Sequence, residues 1–107
     1  MMNGVKPNQL MQKRHNNMRE IGCIICKKEK GIFTPPQIHH INGCKTQERH
    51  AETLALCYLH HMADQNMPMD DRYVSRHPFK WRFESRYGTE QKLLEYQNEL
   101  LGEYNGE

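Results

Sequence analysis

The sequence predicts an α+β fold: a small strand–strand–helix core with helices before and after it. Three observations predict it. Cys23-x-x-Cys26 is answered downstream by Cys57-x-x-His60. Two short apolar runs, Gln37–Ile41 and Thr53–Leu56, flank the Asn42-Gly43 turn signal and a polar loop, as paired strands do. Helical spacing of apolar residues marks both ends of the chain.

The N-terminal element reads as a helix over Pro7 to Glu20, with Leu10, Arg14, Met18 and Ile21 on one face and Gly22 as its stop. Cys23–Cys26 reads as a tight turn that Lys27–Gly31 continues. A short strand is expected at Gly31–Thr34, ended by Pro35-Pro36. Cys44–Glu52 is polar and charged, as a surface loop should be. Cys57 is expected to open a helix running to about Gln65 and stopped by Pro68.

After Pro78, residues Phe79, Phe83 and Tyr87 recur every four positions with Trp81 between them, which spells another helix. Gly88 breaks it and Thr89 can cap the next. Leu93, Leu94, Gln97, Leu100 and Leu101 then form the stripe of a C-terminal helix. That stripe, with Phe79, Phe83 and Tyr87, is expected to pack in the core. A single domain over 1–107 follows, with an N-terminal helix in 1–21, the Cys/His core in 22–67 and helices in 78–102.

A chain of 107 residues with 36% hydrophobic content has a thin core. It hides only ~65% of the surface its unfolded form exposes, and a structural metal is one way to make up the difference. No apolar run approaches the length of a membrane span. Residues 1–19 are polar and lack the apolar core of a signal peptide, so a cytoplasmic location is expected. There thiols stay reduced, and a C-x-x-C with histidines elsewhere reads as zinc ligation before disulfides. Residues 1–88 carry fourteen Lys/Arg against eight Asp/Glu, and residues 89–107 one lysine against five glutamates. A basic body of this kind suits a phosphate-rich partner.

A tetrahedral structural zinc takes four thiolate or imidazole ligands, often as two short-spaced pairs. Cys23 and Cys26 supply one pair; Cys57 and His60 supply the other, in preference to a set using Cys44. With His60 turned to zinc, His61 projects about 100° further round its helix and serves another site. His39 and His40 point to opposite faces of a regular strand. One of them can share a metal with His61; the other can approach a nearby water only if the strand bends or ends there. Phosphodiester hydrolysis needs a water nucleophile, a general base and a cation at the phosphate, and a neutral imidazole suits the base.

The order Cys-x-x-Cys, Ile-His-His-Ile, Leu-Cys-x-x-His-His resembles the zinc-knuckle branch of the HNH (ββα-metal, His-Me finger) endonucleases. More nearly, it is similar to the Ref-like recombination enhancement nucleases of phages and prophages. These share the segment His77-Pro78-Phe79-Lys80, Phe83-Glu84 and Arg86-Tyr87-Gly88-Thr89. The resemblance spans roughly Gly22 to Leu94.

The resemblance implies that His39 and His61 are ligands of a catalytic divalent ion and that His40 is the general base. It puts Cys23, Cys26, Cys57 and His60 in the knuckle. The middle Asn of the HNH name falls on Glu52, whose carboxylate can accept a hydrogen bond from an imidazole. The third protein ligand is His77 or His50. The family works with magnesium or manganese, whereas an all-imidazole site suits zinc and late transition metals, so the identity of the ion stays open.

Lys27, Lys28 and Lys30, with Arg72, Arg76, Lys80, Arg82 and Arg86, are the candidate phosphate contacts, non-specific and salt-dependent. The partner expected is DNA, with a RecA-type recombinase filament supplying the targeting. The reading is a zinc-stabilised, metal-dependent DNA endonuclease. Its rival is a binding module that keeps the zinc-stabilised fold without catalysis, and two bound ions per chain rather than one separate them.

Overall fold

The computed structural model describes residues 4–62, 74–77 and 79–104. Asn8 starts the first helix, α1 (Gln9–Ile21), by accepting the Met11 N–H on its side chain at 2.9 Å, which satisfies one of the orphan donors of a helix start. Gly22 ends it at φ 84°, its N–H bonded to the Met18 carbonyl. A Cβ here would stand 2.6 Å from the Phe33 ring, so both the left-handed backbone and the close approach require glycine.

Cys23 then caps α2 (Ile24–Lys30) with its sulfur, which accepts the Cys26 N–H at 3.5 Å. β1 (Pro36–His40) pairs antiparallel with β2 (Thr53–Cys57), so that Ile38 faces Ala55 and His40 faces Thr53. Between them lies α3 (Gln47–Ala51), and directly after β2 comes α4 (Tyr58–His61). The strand–strand–helix order is the expected one. α5 (Lys80–Tyr87) and α6 (Glu90–Tyr104) follow.

Every residue of β2 is buried, because α1, α2 and α6 all pack on it. Gln97, in the middle of the buried stripe of α6, is a polar side chain fully buried against that strand. Its Oε1 accepts the Ala55 N–H and its Nε2 donates to the Thr53 carbonyl, both at 2.7 Å. One side chain thus stands in for a third strand on the open edge of β2. Met18, Ile24, Ile25, Phe83, Leu93 and Leu101 close the core around it.

Several expectations are corrected. Residues 31–35 form no strand; the Thr34 carbonyl instead accepts the Cys23 N–H. α1 turns His15, Met18 and Ile21 inward and leaves Leu10 69% exposed. The polar loop contains α3. α4 is one turn, since Met62 leaves it to form a parallel bridge with His77. Phe79 is exposed and Trp81 is 83% exposed, so only Phe83 and Tyr87 of that aromatic series reach the core. Gln65, Pro68, Arg72 and Pro78 lie outside the described residues. No helix among those described is long and apolar enough to cross a membrane.

Candidate metal centres and histidine network

The fold gathers its cysteines and histidines into three groups. The first is Cys23, Cys26, Cys57 and His60, all buried. Cys23 caps α2 and Cys26 sits on its first turn; Cys57 ends β2 and His60 follows one turn later on α4. The Cys26 and Cys57 sulfurs are 3.8 Å apart, and His60 Nδ1 is 3.6 Å from Cys23 and Cys26 and 3.2 Å from Cys57. Tetrahedral ligands at usual zinc bond lengths stand ~3.8 Å apart sulfur to sulfur and ~3.6 Å sulfur to nitrogen. This group can hold a structural metal such as zinc.

Within it, the hydrogen bond with Cys23 pulls the Cys57 thiol down to about 3 against the opposing effect of burial, with His60 adding to the pull. Cys23 moves the opposite way, raised first by that same hydrogen bond and then by burial. Burial raises Cys26. The cluster therefore favours one thiolate already, and a bound cation would favour the others. Cys44 lies outside it.

The second group is His39, His61 and His77. The register of β1 turns the buried His39 toward α4, and the bridge after α4 brings in His77, whose N–H bonds the His61 carbonyl at 2.9 Å. Ring centroids are 5.2 Å apart for His39–His61 and His39–His77, and 5.5 Å for His61–His77. His77, not His50, is thus the third member.

Two neighbours set the ring tautomers. His39 Nε2 donates to Glu90 Oε2 at 2.6 Å, which leaves Nδ1 as its lone pair. His61 Nδ1 donates to the Gln37 amide oxygen at 2.6 Å, which leaves Nε2. Ligating histidines are ordinarily braced this way through the second nitrogen. Burial, then the charges of His39, His77 and Arg76, hold His61 down to about 4, and His77 is lowered by burial first as well. Both rings are therefore neutral near pH 7, as ligands must be.

Glu90 is the residue that sequence reasoning missed. Its side chain is only 5% exposed, at the start of α6, and Arg76 Nε donates to the same Oε2 at 3.0 Å. Burial pushes its carboxyl up, but the bonds from His39 and Arg76 outweigh that and hold it at about 2. A glutamate in the first turn of a helix ordinarily reads as a favourable dipole partner, so nothing local marked it.

The third group is His15, His40 and His50. His40 points away from His39, as strand alternation requires. Its Nε2 lies 3.1 Å from His50 Nδ1. His15 Nε2 donates to the His50 carbonyl at 2.9 Å, and His50 Nε2 donates to the Val5 carbonyl at 2.8 Å. His15 and His40 are both lowered, chiefly by burial.

The chain matches the family model described as "Recombination enhancement, RecA-dependent nuclease" over residues 8–102. It belongs to this family. No curated protein matches the sequence. The match begins at the cap of α1 and ends in α6, so all three clusters fall inside it.

Two residues expected at the site make other contacts. Glu52 does not face an imidazole: its Oε1 accepts from Asn42 at 3.2 Å and Arg49 at 3.0 Å and fastens the loop beyond β1. It caps the end of α3, and the imidazole of His50 is the group that meets His40. Arg76, expected at a phosphate, is half-buried with its Nε bonded to Glu90. Lys27, Lys28, Lys80 and Arg82 are exposed; Lys28 lies over the Tyr96 ring and Lys80 over Trp81.

Proposed function

We propose that this family member is a divalent-metal-dependent DNA endonuclease of the HNH type. His39, His61 and His77 hold the ion, Cys23, Cys26, Cys57 and His60 hold a structural zinc, and His40 is the general base. The observation that carries the reading is the His39–His61–His77 group, whose potential ligand atoms, one from each residue, lie within 4.8 Å of one another. The donor set fits a divalent transition ion: three imidazoles, two of them braced through the far nitrogen. Such an ion, when bound, supplies positive charge at the scissile phosphate and the leaving oxygen.

The chain's own residues do the rest. Glu90 and Gln37 hold two ligand rings in one tautomer. His40 takes a proton from water; the water oxygen bonds to phosphorus as the bond from phosphorus to the leaving oxygen breaks, and that oxygen takes a proton from solvent. Lys27, Lys28, Lys80 and Arg82 are exposed cations that would contact phosphates. The family description names RecA, so the substrate proposed is DNA carrying a recombinase filament.

The test is cleavage of supercoiled plasmid and of recombinase-paired D-loop DNA by wild type and His40→Ala. Each reaction is run with magnesium, manganese or chelator, and folding and zinc content are checked in parallel. Metal-dependent cleavage that disappears in the folded variant is the expected result. Equal cleavage by both proteins would remove His40 from the mechanism.

A further inference from the structure

We infer that His50 is a positioning residue that fixes the tautomer of His40, so that Nδ1 of His40 is the atom that accepts the proton. The inference rests on the nuclease reading above, and it follows from a chain of hydrogen bonds whose direction is set at one end. A carbonyl oxygen only accepts. The bond of 2.8 Å from His50 Nε2 to the Val5 carbonyl therefore places the His50 proton on Nε2. In the neutral ring Nδ1 is then a bare acceptor. His40 Nε2, 3.1 Å away, must be the donor in that pair, which leaves the His40 lone pair on Nδ1.

The carbonyl that starts the chain is itself held. The Val5 N–H bonds the Cys44 carbonyl at 2.8 Å, and Gln47 Nε2 bonds the Lys6 carbonyl at 2.7 Å. The segment before α1 is thereby tied to the loop and to α3, which carries His50. His50 is buried, and its own carbonyl accepts from both His15 Nε2 and the Thr53 hydroxyl at 2.9 Å. Backbone and side chain of His50 are both fixed, so its Nδ1 presents a rigid acceptor to the half-buried His40.

The orienting part that the resemblance implies for Glu52 thus passes to an imidazole two residues earlier. A rigid acceptor matters because a histidine in the wrong tautomer is a poor base: reversing this choice in a catalytic triad costs about 10⁴-fold in rate. The same three rings offer another ligand set, but a metal there needs bare nitrogens facing one another across the 3.1 Å contact. The carbonyl-anchored chain supplies a proton to that contact instead.

Two substitutions separate positioning from mere bracing. His50→Asn places an amide oxygen near the Nδ1 position and loses the bond to Val5. His50→Gln can keep an N–H for the Val5 carbonyl and loses the acceptor. The ring nitrogens of His40 are read by long-range ¹H–¹⁵N NMR of labelled, folded, zinc-loaded protein, which needs no turnover. Plasmid and D-loop cleavage are then measured with manganese.

The expected result is an Nε2–H tautomer for His40 in wild type and in His50→Asn, and a mixture in His50→Gln. kcat should fall about 10–100-fold in the Gln variant with KM unchanged, less than the roughly 10²–10⁴-fold that the base itself contributes, and should stay near wild type in the Asn variant. The reverse order of the two variants would overturn the inference, as would a proton on His40 Nδ1 in wild type. Ring shifts showing a third metal on His40 and His50 would overturn it too. If His40→Ala is inactive while His50→Gln is fully active, the positioning role alone falls. If His40→Ala cleaves like wild type, the base assignment falls and takes the role of His50 with it.

Discussion

Glu90 Oε2 lies 2.6 Å from His39 Nε2, joining the start of the last long helix to the first strand across 51 residues of sequence. The contact fixes which His39 nitrogen is free for a metal. A partner of this kind ordinarily contributes 10–100-fold to metal affinity or activity. Glu90→Ala should therefore weaken manganese or zinc binding at the histidine site by about 10–100-fold, read by calorimetric titration of protein whose knuckle zinc is retained. Glu90→Gln, which keeps an acceptor for His39 but not the charge facing Arg76, should fall between. Unchanged affinity in the alanine variant would show that His39 needs no brace.

The four-residue Cys/His cluster joins α2, the end of β2 and α4 at the centre of the core. Zinc bound to such a site in small domains contributes about 10–16 kcal/mol, as much as the whole stability of an ordinary domain, about 5–15 kcal/mol. Cys26→Ala should lose both the bound zinc and cooperative unfolding. The measurements are metal content by elemental analysis and thermal melts by circular dichroism. A cooperative, wild-type-like melt in zinc-depleted protein would refute a structural role for the cluster.

Acid should unfold this protein through its histidines before its carboxylates. In the folded state His61 is held at about 4, below the ordinary 6.5, chiefly by burial. Folding thus favours the neutral ring. The stability tied to it is intact above about 6.5 and declines as the pH falls toward 4, because the unfolded chain binds the proton first. His15, His40 and His77 are lowered too and act in the same direction. Glu90 is held at about 2 from an ordinary 4.5. Its contribution is present above about 4.5 and is lost progressively as the pH falls from there through about 2. Denaturant midpoints across pH 7.5 to 3 should fall first between 6.5 and 4, and His61→Gln should flatten part of that slope. An identical slope in the variant would remove His61 as a source.

The strands, the gathering of Cys23, Cys26, Cys57 and His60 and the separation of His39 from His40 were legible in the sequence because each follows from a fixed local period. Two-residue alternation put the adjacent histidines on opposite faces, and the spacing of Cys23, Cys26, Cys57 and His60 matched two short ligand pairs. His77 came in through the shared tail segment and His50 stood as its alternative; the bridge after α4 puts His77 beside His39 and His61. What the sequence concealed is long-range. His15 and Glu90 carried no signal of their own, because their partners lie 35 and 51 residues away. Leu10 and Phe79 misled in the other direction: helical spacing identifies a stripe, but not where a short helix leaves the core.

Gln97 gives the most direct test of how the sheet is completed. Its amide bonds the Ala55 N–H and the Thr53 carbonyl, both at 2.7 Å, with no exposure to water. Leucine has nearly the same shape and would satisfy neither group. Each buried backbone group left without a partner costs about 1–3 kcal/mol, so Gln97→Leu should destabilise by about 2–6 kcal/mol in spite of its greater apolarity. Gln97→Glu keeps an acceptor for Ala55 but puts a second acceptor against the Thr53 carbonyl, and it should be at least as harmful at neutral pH. Urea unfolding of the zinc-loaded proteins measures both. A leucine variant as stable as wild type would mean that β2 finds other partners for its open edge.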